Sequence, residues 1–530
     1  MNKYLIAAFA ISLLNACGKN SSEENDSKKS YTSEYAAVEC DKIGPDLDID
    51  NNIECGWLTV PESRYDVDNN NEISLAVLIL KSESETPEPD PIIYLHGGPG
   101  SLAIRIVDIL APIFEDARKS RDIIFVDQRG SGYSIPFLGC PETLEQKLNR
   151  LEILAEDTNI EVPEDTSLIA CQQRLMESGI DLASYTTVEN TNDIEDLRKA
   201  LNIDQWNLYG VSYGTRVSQT MMQLYPNGIR SVILDSAVPQ NASLLDVSDT
   251  VSKYNLLIAI FEKCAVDSIC NTKYPDLANR FWDRISLLEN RPSYFLIDKP
   301  EHNFSLRFQI TETSLVEFAN NLIDRNKIEE LPNKINLFLE YEYSEIAEEL
   351  EEVLLGDLEE TLISYGTFFS TMCADEYKNP YDESIIDDQD IPDVYKQYWR
   401  DSYAGVGIGC EEWPFSKTLG LERTAVISDI PTLILAGKYD VRTTTDAAQI
   451  IEETLTNVTY AEFPKDGHGV LLNACSHNLR DSFYETPLLD PDVTCLAAID
   501  DSTTFTKPNA KTNQLRLFEF PNPYNIFKPK

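Results

Sequence analysis

Unbroken apolar runs recur through the first half of the chain, and most end in glycine or turn formers. Trp57–Pro61 and Ile73–Leu80 read as early strands, with a turn at Asp66–Asn71 between them. Pro91–Leu95, Asp122–Val126, Trp206–Tyr209 and Ser231–Asp235 are short, continuously apolar segments of the kind buried on both faces of a parallel sheet. Asn192–Leu201 reads as an amphipathic helix leading into one of these strands, and Thr215–Leu224 as a helix leaving it. Such alternation implies a doubly wound, mostly parallel sheet. Residues 141–180, enclosed by Cys140 and Cys171, read as helical and polar. From 241 to about 428 the alternation stops, and helices are expected at Ser248–Glu262, Pro275–Asn290 and Ile346–Leu362. Within the last of these, Glu348–Glu352 reads as a solvated face. Strand character resumes at Pro431–Gly437 and again at Tyr460–Phe463. The chain shows no internal repeat.

Three glycine-rich segments sit at the ends of those strands. Pro91–Leu95 runs into His96-Gly97-Gly98-Pro99-Gly100, Asp122–Val126 into Asp127-Gln128-Arg129-Gly130-Ser131-Gly132-Tyr133-Ser134, and Trp206–Tyr209 into Gly210-Val211-Ser212-Tyr213-Gly214. Glycines two positions either side of a serine permit a sharp strand-to-helix turn that lifts the hydroxyl clear of the sheet. The first loop can turn backbone N–H groups inward, as an oxyanion hole requires. A serine also needs a base, and imidazole suits that task near neutrality. Of the four histidines, His468 lies between Gly467 and Gly469 just after a strand, in a loop able to return over the serine. His96 reads as structural, while His302 and His477 lie in polar segments without a motif.

These three motifs, in this order and spacing, resemble the α/β-hydrolase peptidases of the prolyl iminopeptidase and tripeptidyl aminopeptidase family, across roughly 40–240 and 430–500. The resemblance implies an α/β-hydrolase fold: a core of 39–240 and 429–530, with a large, mainly helical cap (241–428) inserted after the strand that follows the nucleophile elbow. It implies a triad of Ser212, Asp440 and His468. Asp440 ends the strand-loop Leu433–Asp440; Asp235 and Asp466 stay open as alternative acids. Gly98 and Tyr213 supply the expected backbone oxyanion donors. Aminopeptidases of this type hold the substrate's free α-amine with cap carboxylates. Glu376 is the first choice here, followed by Asp375 and Glu411, against the plainer reading of ordinary surface charge. The implied reaction releases short peptides or single residues from a free N-terminus through an acyl-enzyme, without a cofactor or metal. The segment from Cys475 to Cys495 resembles the secreted, tripeptide-releasing branch. An exported carboxylesterase or lipase on the same fold is the alternative. A catalytically silent surface-binding protein is disfavoured by the intact triad.

Charge narrows the partners. Against 44 basic residues stand 89 acidic ones, giving −45, which excludes nucleic acid and disfavours an anionic membrane surface. The first 17 residues read as a lipoprotein signal: Lys3, the short apolar stretch Leu5–Leu14, then Leu14-Asn15-Ala16-Cys17 with Cys17 lipidated, a conventional signal-peptidase cut nearby being the alternative that Asn15 leaves open. Residues 18–38 read as a disordered tether, so membrane contact is expected only through the lipid, on a bacterial lipoprotein of the outer membrane, periplasm or cell surface. Ten cysteines remain, an even number that implies disulfides in an exported chain. Sequence leaves connectivity open; the expectation is pairing of chain neighbours, Cys40–Cys55, Cys140–Cys171, Cys264–Cys270, Cys373–Cys410 and Cys475–Cys495. A calcium loop at Asp66–Asn71 lacks the ligand spacing and the terminal glutamate.

Overall fold

The computed structural model describes residues 31–44, 52–147, 166–242, 247–299, 304–355, 363–376, 383–415 and 423–499. The expected signal, Cys17, the first part of the tether and His302 lie outside the described residues. Nine strands form one sheet: β1 (Glu34–Val38), β2 (Ile53–Pro61), β3 (Glu72–Leu80), β4 (Ile92–Leu95), β5 (Ile123–Val126), β6 (Trp206–Val211), β7 (Ile229–Asp235), β10 (Thr432–Gly437) and β11 (Val458–Phe463). Their order is β1-β2-β3-β5-β4-β6-β7-β10-β11. Pairing is antiparallel from β1 through β3 to β5 and parallel from β5 onward.

The central strands are buried on both faces because alternate residues feed two separate cores. Tyr94, Phe125, Tyr209, Ile233 and Leu435 pack on one face with Phe114 and Phe483; Ile93, Ile124, Leu208, Leu234 and Ile434 pack on the other with Val217, Met221 and Ile451. This two-sided cover explains why the strands read as continuous apolar runs.

The expected tether requires correction. Residues 34–38 form β1, paired with β2 along its whole length, and the Tyr31 hydroxyl donates to Asp196 at 2.7 Å. Glu34-Tyr35-Ala36-Ala37-Val38 lies on a sheet edge with only intermediate or exposed side chains, so its weak apolar signal resembled a solvated linker.

The insertion is mainly helical, with helices at Val247–Val266, Leu277–Asn290, Glu312–Asp324, Leu331–Leu339, Ala347–Leu355, Tyr365–Asp375 and Asp393–Glu412. It also carries an unexpected antiparallel hairpin, β8 (Ser293–Lys299) with β9 (Phe304–Ile310). One core gathers buried residues between Leu257 and Trp399 together with Tyr439 and Val441. A second joins Leu138, Leu168 and Leu175 to Phe368, Phe369 and Trp413. The five disulfides join Cys40–Cys55, Cys140–Cys171, Cys264–Cys270, Cys373–Cys410 and Cys475–Cys495. Two of them, Cys140–Cys171 and Cys373–Cys410, sit in the second core, one within each of its two halves. No described helix is long and apolar enough to cross a membrane.

Candidate active site

Ser212 stands between β6 and the helix Tyr213–Leu224, half-buried, with φ 54° and ψ −124°. A non-glycine residue in this region costs on the order of 1–3 kcal/mol and persists only where its surroundings enforce it. Here Ser212 N donates to Asp235 O on β7 at 3.0 Å, while the Thr215 hydroxyl donates to Ser212 O at 2.6 Å. The turn also needs space. A Cβ on Gly214 would lie 2.0 Å from Leu95 O, so helix and β4 touch backbone to backbone. A Cβ on Gly97 would lie 2.9 Å from Ser212 Cβ and 3.4 Å from its Oγ, which puts the glycine loop directly against the serine.

The second motif braces that loop. Gln128 Nε2 donates to His96 O at 2.9 Å. Fully buried Asp127 accepts from Ala103 N (2.8 Å), Ile104 N (3.0 Å) and Tyr133 N (2.8 Å), and burial pushes its carboxyl up to about 6 against those donors. Arg129 reaches both Asp193 oxygens at 2.8 Å, and Arg64 lies 2.6–2.7 Å from Glu189, Asp193 and Asp196. His96 Nδ1 meets the Tyr94 hydroxyl at 2.7 Å, and burial drops its pKa to about 4, so the ring stays neutral.

His468 and Asp440 meet at one end of the sheet. His468 Nδ1 lies 3.1 and 3.0 Å from the two Asp440 oxygens. Burial raises the Asp440 carboxyl, but His468 and hydrogen bonds from Thr443 outweigh it and hold the group below the usual carboxylate range. Those donors are Thr443 N (2.9 Å) and Thr443 Oγ1 (2.7 Å); Arg442 N adds a third at 3.0 Å. Thr443 Oγ1 is also 3.3 Å from His468 Nδ1. The sequence offered no signal for Thr443 beyond its closeness to Asp440.

The histidine loop is fastened to the strand beside the serine. Gly469 N donates to Ser236 Oγ at 2.7 Å and Val470 N to Asp235 Oδ1 at 3.0 Å. Asp235 therefore holds Ser212 with its main chain and the histidine loop with its side chain. Its other oxygen accepts from the Tyr209 hydroxyl at 2.7 Å, and burial raises it to about 6. Asp466 instead accepts from Asn473 at 2.9 Å. Of the three candidate acids, Asp440 is the one hydrogen-bonded to the imidazole.

Asp375 and Glu376 end the helix Tyr365–Asp375 against the first turns of the serine's helix. Glu376 forms a buried ion pair with Arg216. Asp375 accepts from Thr187 Oγ1 at 2.5 Å, and that oxygen lies 2.8 Å from the Tyr213 hydroxyl. Glu411 is on the helix joined by Cys373–Cys410, and its side chain lies outside the described residues. His477 Nε2 sits 2.8 Å from Leu471 O, within its own segment. Among the described residues no cluster of His, Cys, Asp and Glu could hold a metal ion.

The family model described as "alpha/beta hydrolase fold" matches residues 90–474. Tripeptidyl aminopeptidase of Streptomyces coelicolor is 26% identical over 209 residues, 38% of each chain. Serine protease Hip1 of Mycobacterium tuberculosis is 25% identical over 213 residues, 39% of this chain and 40% of that one. The matched region thus spans about two fifths of these relatives. A crystal structure of proline iminopeptidase from Mycobacterium smegmatis overlays with a TM-score of 0.36 at 15% identity, covering 82% of this chain and 98% of that one.

Proposed function

Because the chain belongs to the α/β hydrolase fold family, we propose that it is an exported serine peptidase that cleaves short peptides or single residues from free N-termini. The observation that carries this reading is the strained Ser212 beneath the glycine loop, hydrogen-bonded to Asp235, together with a His468–Asp440 pair whose loop is fastened to the same Asp235 and to Ser236. The names of the matched relatives, an aminopeptidase and a serine protease, favour peptide over ester substrates.

In the proposed mechanism Ser212 Oγ attacks the scissile carbonyl while His468 Nε2 takes its proton. Asp440 keeps the remaining N–H on Nδ1 and stabilises the imidazolium without becoming protonated. The backbone N–H groups of Gly98 and Tyr213 receive the oxyanion, a contribution of ~3 kcal/mol per donor. His468 passes its proton to the leaving amine, leaving an acyl-enzyme. Water, deprotonated by the same imidazole, then releases the N-terminal fragment and restores the serine. Recognition of the substrate's ammonium falls to Glu376 and Asp375, the buried carboxylates at the end of the helix Tyr365–Asp375. The five disulfides support export.

A fluorophosphonate probe should label the protein, and Ser212→Ala should abolish labelling. Mass spectrometry of a peptide library with free and acetylated N-termini then tests the substrate class. Rapid turnover of p-nitrophenyl esters with every free-amine peptide left intact would refute the peptidase assignment.

A further inference from the structure

Tyr439 and Val441, the neighbours of Asp440 in the chain, belong to neither core of the sheet. Both are buried in the core of the inserted segment, with Leu257, Phe281, Phe338 and Tyr395. The acid loop is thus packed as part of the insertion.

Charged groups continue that contact. Arg442 Nε lies 3.6 Å from Asp324 Oδ1, at the end of the helix Glu312–Asp324. The other Asp324 oxygen is 3.5 Å from Lys253 Nζ, and Lys253 is 3.2 Å from Asp249 on the helix Val247–Val266. Lys253 is 8% exposed and also lies over the Tyr398 ring at 5.9 Å. Burial alone would lower the Lys253 pKa, yet Asp249 and Asp324 raise it well above the ordinary value. Two residues past Asp324, Asn326 turns with φ 54° and sits 3.4 Å from the position a Cβ on Gly467 would take. One turn of the insertion therefore abuts the loop before His468 as well as the loop after Asp440.

We infer that Asp324 is a positioning residue: through Arg442 it sets the loop that presents Asp440 to His468, making the inserted helices a clamp on the acid rather than a freely swinging lid. This rests on the hydrolase reading above. Displacing a reacting group by about 1 Å typically costs on the order of a hundredfold in rate, so partial loosening of the loop should cost about tenfold.

The test uses the full chain and compares Asp324→Asn, Arg442→Gln and Arg442→Lys with Lys334→Gln. The last breaks a 2.9 Å ion pair to Glu349 in the same insertion. Three measurements decide: fluorophosphonate labelling rate, kcat and KM on a cleaved peptide amide, and the low-field proton resonance of a His–Asp hydrogen bond. Asp324→Asn and Arg442→Gln should lower labelling rate and kcat about tenfold with KM little changed, and broaden or shift the resonance. Arg442→Lys should recover most of the rate, and Lys334→Gln should match the parent. Parental rates in both Asp324→Asn and Arg442→Gln, or an equal loss in Lys334→Gln, would overturn the inference. If Asp324→Asn does not fold, the contrast between Arg442→Gln and Arg442→Lys decides alone. A parent that never labels would instead overturn the hydrolase reading, and this inference with it.

Discussion

Adding one methyl group at Gly97 should separate catalysis from folding. The new carbon would sit 2.9 Å from Ser212 Cβ, 3.1 Å from Val211 O and 3.4 Å from Ser212 Oγ. Ordinary contacts begin near 3.4 Å, so the loop or the serine must yield by about 0.5 Å. A shift of that size in an otherwise intact core costs ~1 kcal/mol of stability. The same half ångström falls between the proposed nucleophile and its proposed oxyanion donors, where misplacement by about 1 Å costs on the order of a hundredfold. Gly97→Ala should therefore label with fluorophosphonate about tenfold more slowly while melting close to the parent. Gly214→Ala supplies the contrast. Its methyl would meet the Leu95 carbonyl at 2.0 Å, and two backbones would have to part by about 1.4 Å. That variant should lose both stability, by ~3 kcal/mol or more, and more than a hundredfold in labelling rate. Parental labelling of Gly97→Ala, with the melting temperature also unchanged, would show that the loop does not lie over the reacting serine.

Thr443→Val removes one of the donors that hold Asp440 charged, at nearly constant volume; a hydrogen bond to a charged group contributes ~1.5–3 kcal/mol. Because Arg442 N and Thr443 N still donate, kcat should fall about tenfold, and steady-state kinetics on the peptide amide measures it. Asp235 has its folded pKa raised to about 6 from 3.8 by burial, so the folded protein keeps a proton that the unfolded chain releases between those values. Its contribution is present in acid and lost as pH rises through that window, on the order of 3 kcal/mol. Urea unfolding at pH 4 and pH 7 should show Asp235→Asn losing more relative to the parent at pH 4, and the reverse order would refute the assignment. Glu376→Gln would take from buried Arg216 its directly paired counter-charge and leave only the attraction of Asp375, a loss of up to ~3 kcal/mol, seen as a lowered melting temperature. An unchanged melting temperature with a raised KM for free-amine peptides would mark Glu376 as the amine-binding carboxylate.

The parts of the site legible in the sequence are those dictated by backbone space. Glycines at 97, 210 and 214 are needed where two chains nearly touch, and that need leaves its mark on local sequence. Strand order likewise pointed to Asp440, since the acid must follow the serine and end a strand. Features made by distant polar groups stayed hidden. The helix expected from Asn192 begins at Thr187, because the Thr186 side chain caps it by accepting from Glu189 N at 3.2 Å. A threonine followed three residues later by a glutamate is a start signal and could have been read. What no pattern announced is that Glu189, Asp193 and Asp196 face inward. Arg64 and Arg129 arrive from two other segments and make that acidic face a buried one. The β8–β9 hairpin did carry alternation at Phe304, Leu306, Phe308 and Ile310, but it lay inside a stretch dominated by helical patterns.

The same logic explains why the insertion and the chemistry looked separable in the sequence and are joined in the structure. Reading the chain as a core with an inserted cap assigns each residue to one unit, and Asp440 falls plainly in the core, in the turn that follows β10. Its neighbours do not follow it. Tyr439 and Val441 point into the insertion's hydrophobic core, while Asp440 between them accepts from Thr443 and meets His468. The chain turns here, with Asp440 N donating to Gly437 O at 3.1 Å, and the turn lets one short loop serve both the site and the insertion's core. The boundary between scaffold and insertion thus passes through the residue that pairs with the proposed base, and a change in how the inserted helices pack meets the site at the loop after Asp440 and at the loop before His468.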